Sequence, residues 1–150
     1  QGMPKAAPRV LIVEDDDAVR GFLARALERG GWEPLGVRTG EEAFEHVRAD
    51  PNIAAVLIDG LLPDMHGVRV ADKLLDDEAG SKVAICFISG AIREHQAADA
   101  GVAALSKPVR LAELLSTVAN LLEWRAAGTP SVAERRAVVR RLETGFLVGP

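Results

Sequence analysis

Apolar residues along the chain gather in short runs that alternate with segments of helical periodicity. The runs at 10–13, 53–58 and 83–89 are nearly continuous and rich in Val and Ile, and weaker runs lie at 32–37 and 103–105. Strands that are buried on both faces of a sheet show this composition. The alternation of strand and helix predicts five βα units that form a doubly wound parallel sheet, with helices on both faces.

The segments between the runs have the apolar spacing of amphipathic helices. In the first of them, a Gly pair at 30–31 ends the pattern. Thr39 and Glu42 form a capping box, which predicts the start of the second helix. Residues 92–100 predict a weak fourth helix, and residues 111–122 predict a strong fifth one.

The pattern is interrupted near the C-terminal end of the sequence by Gly128-Thr129-Pro130. We therefore predict a domain over residues 8–127 and a C-terminal helical extension over 128–150. Ser131 and Glu134 form a second capping box, which predicts a short helix that ends near residue 143. Its broken apolar stripe consists of Val132, Val139, Leu142 and Phe146, flanked by arginines.

A helix as short as this one needs a surface on which to pack. That surface is either its own domain or a second copy of the chain; the remaining alternative is a solvated tail that packs on nothing. We favour a homodimer to which the C-terminal extension contributes.

Composition narrows the functional classes. With 150 residues, 48% of them apolar, the chain is long enough for one globular domain with its own core. The net charge of −4 and the lack of a basic patch argue against direct nucleic-acid binding. No apolar run approaches the roughly 20 residues of a membrane span, and the start lacks a signal-peptide core. The single cysteine, Cys86, suits a reducing compartment, so we expect a cytoplasmic protein.

Polar residues follow four of the apolar runs. Glu14 and Asp15 follow the first run, and Asp59 follows the third. Ser89 stands at the end of the fourth, and Lys107 comes soon after the fifth. Ligands of doubly wound sheets bind beyond the carboxyl ends of the strands. We therefore expect these side chains to meet at one edge of the sheet.

The residue types indicate the chemistry of this edge. Carboxylates grouped without His or Cys favour Mg²⁺, or alternatively Mn²⁺, over zinc. Bound to such a cation, a carboxylate can act as a nucleophile towards phosphorus, and lysine and serine can contact phosphoryl oxygens. A cation also explains why four consecutive acids, residues 14–17, follow a buried strand. The alternative is that the acids favour a helix N-terminus, a role that suits Asp16 and Asp17.

The motifs LIVEDD, LIDGLLPDMHG, ISG and SKP occur in this order and at characteristic intervals over about residues 8–127. In this respect the chain resembles the receiver domain of bacterial two-component response regulators. The resemblance implies a flavodoxin-like (βα)5 fold with strand order 2-1-3-4-5. It also implies that Asp59 accepts a phosphoryl group from a histidine kinase or a histidine phosphotransfer protein.

The same resemblance implies the roles of the other site residues. Mg²⁺ would be bound by Glu14, Asp15, Asp59 and the backbone carbonyl of Leu61. Ser89 and Lys107 would contact the phosphoryl group and carry the conformational switch. The family usually has Tyr or Phe three residues before the lysine, where this chain has Ala104. An aromatic rotamer switch is therefore not expected here.

The leading hypothesis is a phosphorylatable switch that is not an enzyme beyond self-catalysed phosphoryl transfer and autodephosphorylation. A metal-dependent phosphohydrolase with an aspartyl nucleophile is one alternative, but such enzymes usually carry an acid where Leu61 stands. A degenerate receiver that serves as a scaffold is the other, and the intact Asp15, Asp59, Ser89 and Lys107 argue against it. The sequence identifies neither the cognate kinase nor the downstream partner.

Overall fold

The fold is built on a six-stranded sheet with the order β2-β1-β3-β4-β6-β5. The computed structural model describes residues 7–90, 96–128 and 131–144. The strands are β1 (Arg9–Val13), β2 (Glu33–Val37), β3 (Ile53–Asp59), β4 (Ala84–Ser89), β5 (Gln96–Asp99) and β6 (Val102–Ser106). All but β5 run parallel to their neighbours, and β6 takes the place of the fifth strand. The predicted doubly wound fold with strand order 2-1-3-4-5 is confirmed.

Helices cover both faces of the sheet. They are α1 (Asp17–Arg29), α2 (Gly40–Ala49), α3 (Gly67–Asp76), α4 (Leu111–Ala126) and α5 (Val132–Leu142), with a short 3₁₀ turn at Gly80–Lys82. Side chains of α1 and α4 pack on one face, and those of α2, α3 and α5 pack on the other. Within the part of the chain that the structure describes, no helix combines the length and apolarity that a membrane crossing requires.

The strands are apolar at nearly every position because each contributes alternate side chains to the two faces. In β1, Leu11 and Val13 join the cluster beneath α2 and α3, whereas Val10 and Ile12 join the one beneath α1 and α4. Local signals start the helices: Thr39 Oγ1 accepts the N–H of Glu42 at 3.2 Å, as the capping box predicts.

The predicted fourth helix is wrong for the described part of its range. Residues 92–95 lie outside the described residues, and Gln96–Asp99 form the edge strand β5, which pairs antiparallel with β6. The turn between these strands is Ala100-Gly101, and both residues have positive φ, 52° and 73°. Two such residues build the tight hairpin turn that matches strand twist. This turn overrides the helical preference of the alanines around it.

On the face that a fourth crossover helix would cover, the C-terminal helix α5 packs against α3 and β6. Val138, Val139 and Leu142 are buried in the same cluster as Phe87 and Ala104. The apolar stripe of α5 is therefore used within the chain and completes the core of this face.

The buried stripe agrees with the prediction at Val139 and Leu142 but differs from it elsewhere. Val132 is 37% exposed, and Phe146 lies outside the described residues. Arg135, which was expected to flank the stripe, is 0% exposed. Positions 135, 138, 139 and 142 share one helical face, so the buried stripe includes an arginine.

Arg135 fastens α5 to the ends of two strands. Its guanidinium stacks on the ring of Trp124 in α4, 4.6 Å from the centroid. It donates to the backbone oxygens of Ser81 (2.6 Å), Val83 (2.6 Å), Ala100 (3.0 Å) and Gly101 (3.4 Å). Burial lowers the pKa of Arg135 to about 10, which still leaves the group charged at neutral pH. A polar anchor thus lies inside an otherwise apolar contact.

Candidate functional site

The carboxyl ends of the parallel strands bring the predicted site residues to one edge of the sheet. Asp59 ends β3 and pairs with Ile88 of β4, and Ser89 ends β4 and pairs with Ser106 of β6. Glu14 directly follows β1, and Lys107 directly follows β6. Since the strand ends are in register, residues far apart in sequence become neighbours, as the sequence predicts.

The acidic side chains Glu14, Asp15 and Asp59 form a compact cluster. One carboxylate oxygen from each residue lies within 4.8 Å of the others, which suits a single shared cation. Glu14 is only 2% exposed, so water cannot fully solvate its charge. An all-oxygen donor set of this kind fits a hard divalent ion such as Mg²⁺.

Lys107 contacts two of these acids. Its Nζ lies 3.0 Å from Glu14 Oε1 and 3.0 Å from Asp59 Oδ1. Burial alone would lower the pKa of Lys107, but hydrogen bonds to Asp59 and Glu14 outweigh it, and the pKa is raised. The ammonium group therefore stays charged and compensates the carboxylates. The peptide bond between Lys107 and Pro108 is cis, and the Lys107 N–H donates to the Ser89 oxygen at 3.1 Å.

Glu14 is held in place although its surroundings disfavour its charge. Burial raises the pKa of Glu14, and the hydrogen bonds from Lys107 and from the Asp16 N–H (3.2 Å) only partly oppose that effect. A carboxylate in this position gains more from a nearby cation than an exposed one does. A cation bound at this edge of the sheet would thus explain why acids follow β1.

Ser89 approaches the loop that leaves Asp59. It is 8% exposed, and a Cβ on Gly60 would lie 2.8 Å from its Oγ. Gly60 therefore lets the chain pass directly beside the serine hydroxyl. Gly67 allows a second close approach, since a Cβ there would lie 2.4 Å from the Asp59 backbone oxygen. These glycines hold the phosphoacceptor candidate and the serine in one small space.

Leu61 lies in the loop between β3 and α3, two residues after Asp59. Its side chain is 66% exposed, and an isolated antiparallel bridge joins it to His66. Any part of Leu61 in cation binding would come from its backbone carbonyl. The conformation of this loop therefore matters for the site.

Two residues with structural roles near the site, Arg20 and Asp64, were not predicted from the sequence. Arg20 donates from Nη1 to the Glu14 backbone oxygen at 2.9 Å and from Nη2 to Asp17 at 2.5 Å, and the bond from Arg20 lowers the pKa of Asp17. The spacing of three between Asp17 and Arg20 on a helix was a usable signal for this pair. Asp64 contacts the start of α2, and no local pattern predicts so distant a partner.

Comparisons with known proteins agree with this geometry. The family model of the response regulator receiver domain matches residues 10–119. This chain belongs to the response regulator receiver family. The receiver protein CpdR of Brucella abortus is 30% identical over 118 residues, which are 76% of this chain and 96% of CpdR.

Solved structures of other proteins are similar as well. A sensor protein from Polaromonas sp. JS666 is 28% identical with a TM-score of 0.68, and the match covers 79% of this chain and 98% of that one. The receiver domain of the hybrid histidine kinase CckA is 31% identical with a TM-score of 0.63, over 76% of this chain and 98% of that domain. The predicted family is confirmed, and with it a place in two-component signal transduction.

Proposed function

We propose that this receiver is the phosphoacceptor of a two-component or phosphorelay system and that Asp59 is the residue phosphorylated, in an Mg²⁺-dependent reaction. The observation that carries the proposal is the contact of Lys107 with Asp59 inside a cluster of three acids. A structural ion pair alone would not need two further carboxylates beside it. The phosphoryl donor is a histidine kinase or a histidine phosphotransfer protein, as the family membership supports.

The transfer exchanges one bond for another. An oxygen of Asp59 forms a bond to phosphorus, the bond from phosphorus to the donor's imidazole nitrogen breaks, and its electron pair stays on that nitrogen. Lys107 contacts one phosphoryl oxygen, and the Ser89 hydroxyl donates to another. The cation would be held by Glu14, Asp15, Asp59 and the Leu61 carbonyl. When bound, it neutralises charge on the phosphoryl oxygens.

Phosphorylation changes what Lys107 contacts, because a phosphoryl group attracts its ammonium away from Glu14. The residue follows β6 directly, so we expect the end of β6 to move with it. Ala104 in β6 has no ring that could change rotamer. Backbone movement at the surface formed by β6 and its helical neighbours would carry the signal instead.

The approach to Asp59 offers a surface for the phosphoryl donor. An open apolar hollow beside the site is lined by Ala18, Val19, Phe22, Lys107, Pro108 and Val109. Phe22 is 38% exposed, although large apolar side chains are usually covered. Lys107 lines this hollow and also contacts Asp59. A donor protein that packs in the hollow would therefore place its phosphohistidine near Asp59.

We further propose a receiver domain over residues 8–127, followed by a helical extension over residues 128–150. We also propose that the protein acts in the cytoplasm and that this chain does not itself bind nucleic acid, in keeping with its net charge of −4. It has no substrate turnover beyond loss of its own phosphoryl group. A homodimer through the extension stays a prediction, and it would require α5 to leave its own domain or to present its outer face.

One experiment separates the switch from the phosphohydrolase. The protein is incubated with acetyl phosphate and Mg²⁺, and both its intact mass and the release of inorganic phosphate are followed. We expect one added phosphoryl group that EDTA prevents, with slow phosphate release. Rapid multiple turnover of acetyl phosphate or other small phosphate esters would contradict the proposal and favour the enzyme.

A further inference from the structure

We propose that Asp64 is a positioning residue, which fixes the loop after Asp59 against α2 and so holds the Leu61 carbonyl at the cation site. This inference rests on the proposed function of that site. The loop spans residues 60–66, between the phosphoacceptor candidate and helix α3. Asp64 lies at its tip.

The carboxylate of Asp64 binds the start of α2 with both oxygens. The Gly40 N–H donates to Oδ1 at 3.0 Å, and the Glu41 N–H donates to Oδ2 at 3.1 Å. The next N–H of the helix, that of Glu42, is bound by the local cap Thr39. The N–H groups at a helix start lack partners within the helix and attract negative charge. Asp64 thus caps a helix to which it does not belong.

Other contacts within the loop give it a defined shape. The Gly67 N–H donates to the Gly60 oxygen at 2.9 Å, and the Leu62 N–H donates to the Met65 oxygen at 3.0 Å. The first bond joins the start of the loop to the start of α3, and the second spans the tip of the loop. The start of the loop is also held to the sheet, where the Gly60 N–H donates to the Ile88 oxygen of β4 at 3.0 Å. Asp64 adds the link that ties the tip of the loop to α2.

The loop also lies directly on the start of the helix. A Cβ on Gly40 would be 2.7 Å from Met65 Sδ and 2.8 Å from Val70 Cγ2, so the glycine makes room for the contact. Asp64 itself is exposed. Its substitution therefore removes the two hydrogen bonds without opening a cavity in the core.

The consequence for the site follows from the demands of Mg²⁺. This ion requires near-octahedral geometry and tolerates little displacement of a ligand. Groups that orient ligands affect metal affinity even when they do not touch the metal. Loosening the loop would move the Leu61 carbonyl, while Asp59 at the end of β3 and the two acids directly after β1 stay in place.

The test compares Asp64→Ala with Thr39→Ala, which removes a cap of the same helix but leaves the loop alone. Binding of Mg²⁺ is measured by calorimetry with the metal alone, and thermal stability is measured in parallel. We expect both variants to lose stability, but only Asp64→Ala to bind Mg²⁺ roughly tenfold more weakly. Asp64→Asn keeps an acceptor oxygen and should fall between Asp64→Ala and the wild type.

Two outcomes would overturn the inference. One is unchanged Mg²⁺ affinity in Asp64→Ala; the other is an equal loss of affinity in Thr39→Ala, which would show a general effect of helix α2. A failure of this inference can be distinguished from a failure of the proposed function by measuring phosphorylation from acetyl phosphate at saturating Mg²⁺. A wild-type chain that takes no phosphoryl group contradicts the proposed function, whereas a phosphorylated wild type with an unaffected Asp64→Ala contradicts only the role of Asp64.

Discussion

The burial of Arg135 leads to a quantitative prediction about the C-terminal helix. Replacing Arg135 with Ala removes the stacking on Trp124 and strips hydrogen bonds from the backbone oxygens of Ser81, Val83 and Ala100. Hydrogen bonds to a charged group each contribute about 1.5–3 kcal/mol, but burying the charge costs several kcal/mol in return. We expect a net loss of about 3–5 kcal/mol in the free energy of unfolding, because the variant leaves several backbone oxygens without a donor, at about 1–3 kcal/mol each, and recovers part of the cost of burying the charge.

The neighbouring residue provides the control. Arg136 pairs with Asp72 at 2.9 Å and with Asp76 at 2.6 Å, but its side chain is 33% exposed. Exposed ion pairs contribute only about 0.2–1 kcal/mol, so Arg136→Ala should cost little. Both variants remove one arginine from the same helix, which matches them in charge and in helix propensity.

Urea unfolding followed by tryptophan fluorescence measures both losses. A chain that ends at Gly128 sets the upper limit, because Arg135→Ala cannot cost more than undocking α5 altogether. If the two arginine variants differ by less than about 1 kcal/mol, the buried guanidinium does not anchor the helix.

Three further predictions concern the site and the extension. Lys107→Met removes a positive charge 3.0 Å from Glu14 and Asp59, so Mg²⁺ should bind roughly tenfold more tightly, about 1.4 kcal/mol, while phosphorylation slows. Calorimetry measures the Mg²⁺ affinity, and intact-mass kinetics measure the rate of phosphorylation. Weaker Mg²⁺ binding would contradict the reasoning. Burial opposes the hydrogen bonds from Gly40 and Glu41, but the bonds prevail and lower the pKa of Asp64 below its ordinary 3.8. The Asp64 carboxylate therefore stabilises the fold fully at a pH well above 3.8, and this stabilisation is lost as the pH falls through the pKa of the folded state. The melting temperatures of the wild type and Asp64→Asn should differ at neutral pH and converge in acid. A difference that stays constant with pH would refute this. Sedimentation of the full chain and of a chain ending at Gly128 tests the predicted homodimer, which identical species would exclude.

Much of the fold could be predicted from local patterns. Strands buried on both faces must be continuously apolar, so the three nearly continuous apolar runs correctly predicted β1, β3 and β4. The expectation that the ends of parallel strands meet then placed Glu14, Asp59, Ser89 and Lys107 together without any knowledge of their contacts. The position of these residues depends on the order and direction of the strands, and the alternation of strands and helices along the sequence was enough to predict both.

The parts that failed depend on tertiary context. The alanines before Gly101 favour a helix locally, but a hairpin turn makes Gln96–Asp99 an edge strand. Arg135 belongs to the buried face of α5 only because backbone oxygens of distant segments accept its hydrogen bonds. Asp64 caps a helix that begins 24 residues earlier in the chain. Periodicity carries no information about partners of this kind.

The most direct test is to locate the phosphoryl group itself. After incubation with acetyl phosphate and Mg²⁺, the acyl phosphate is reduced with borohydride, which converts the modified aspartate to homoserine, and peptides are sequenced by mass spectrometry. We predict homoserine at position 59 and no mass gain in Asp59→Asn, with the fold of that variant retained by circular dichroism. Homoserine at Asp15 instead, or an unchanged mass gain in Asp59→Asn, would contradict the assignment of Asp59 as the phosphoacceptor.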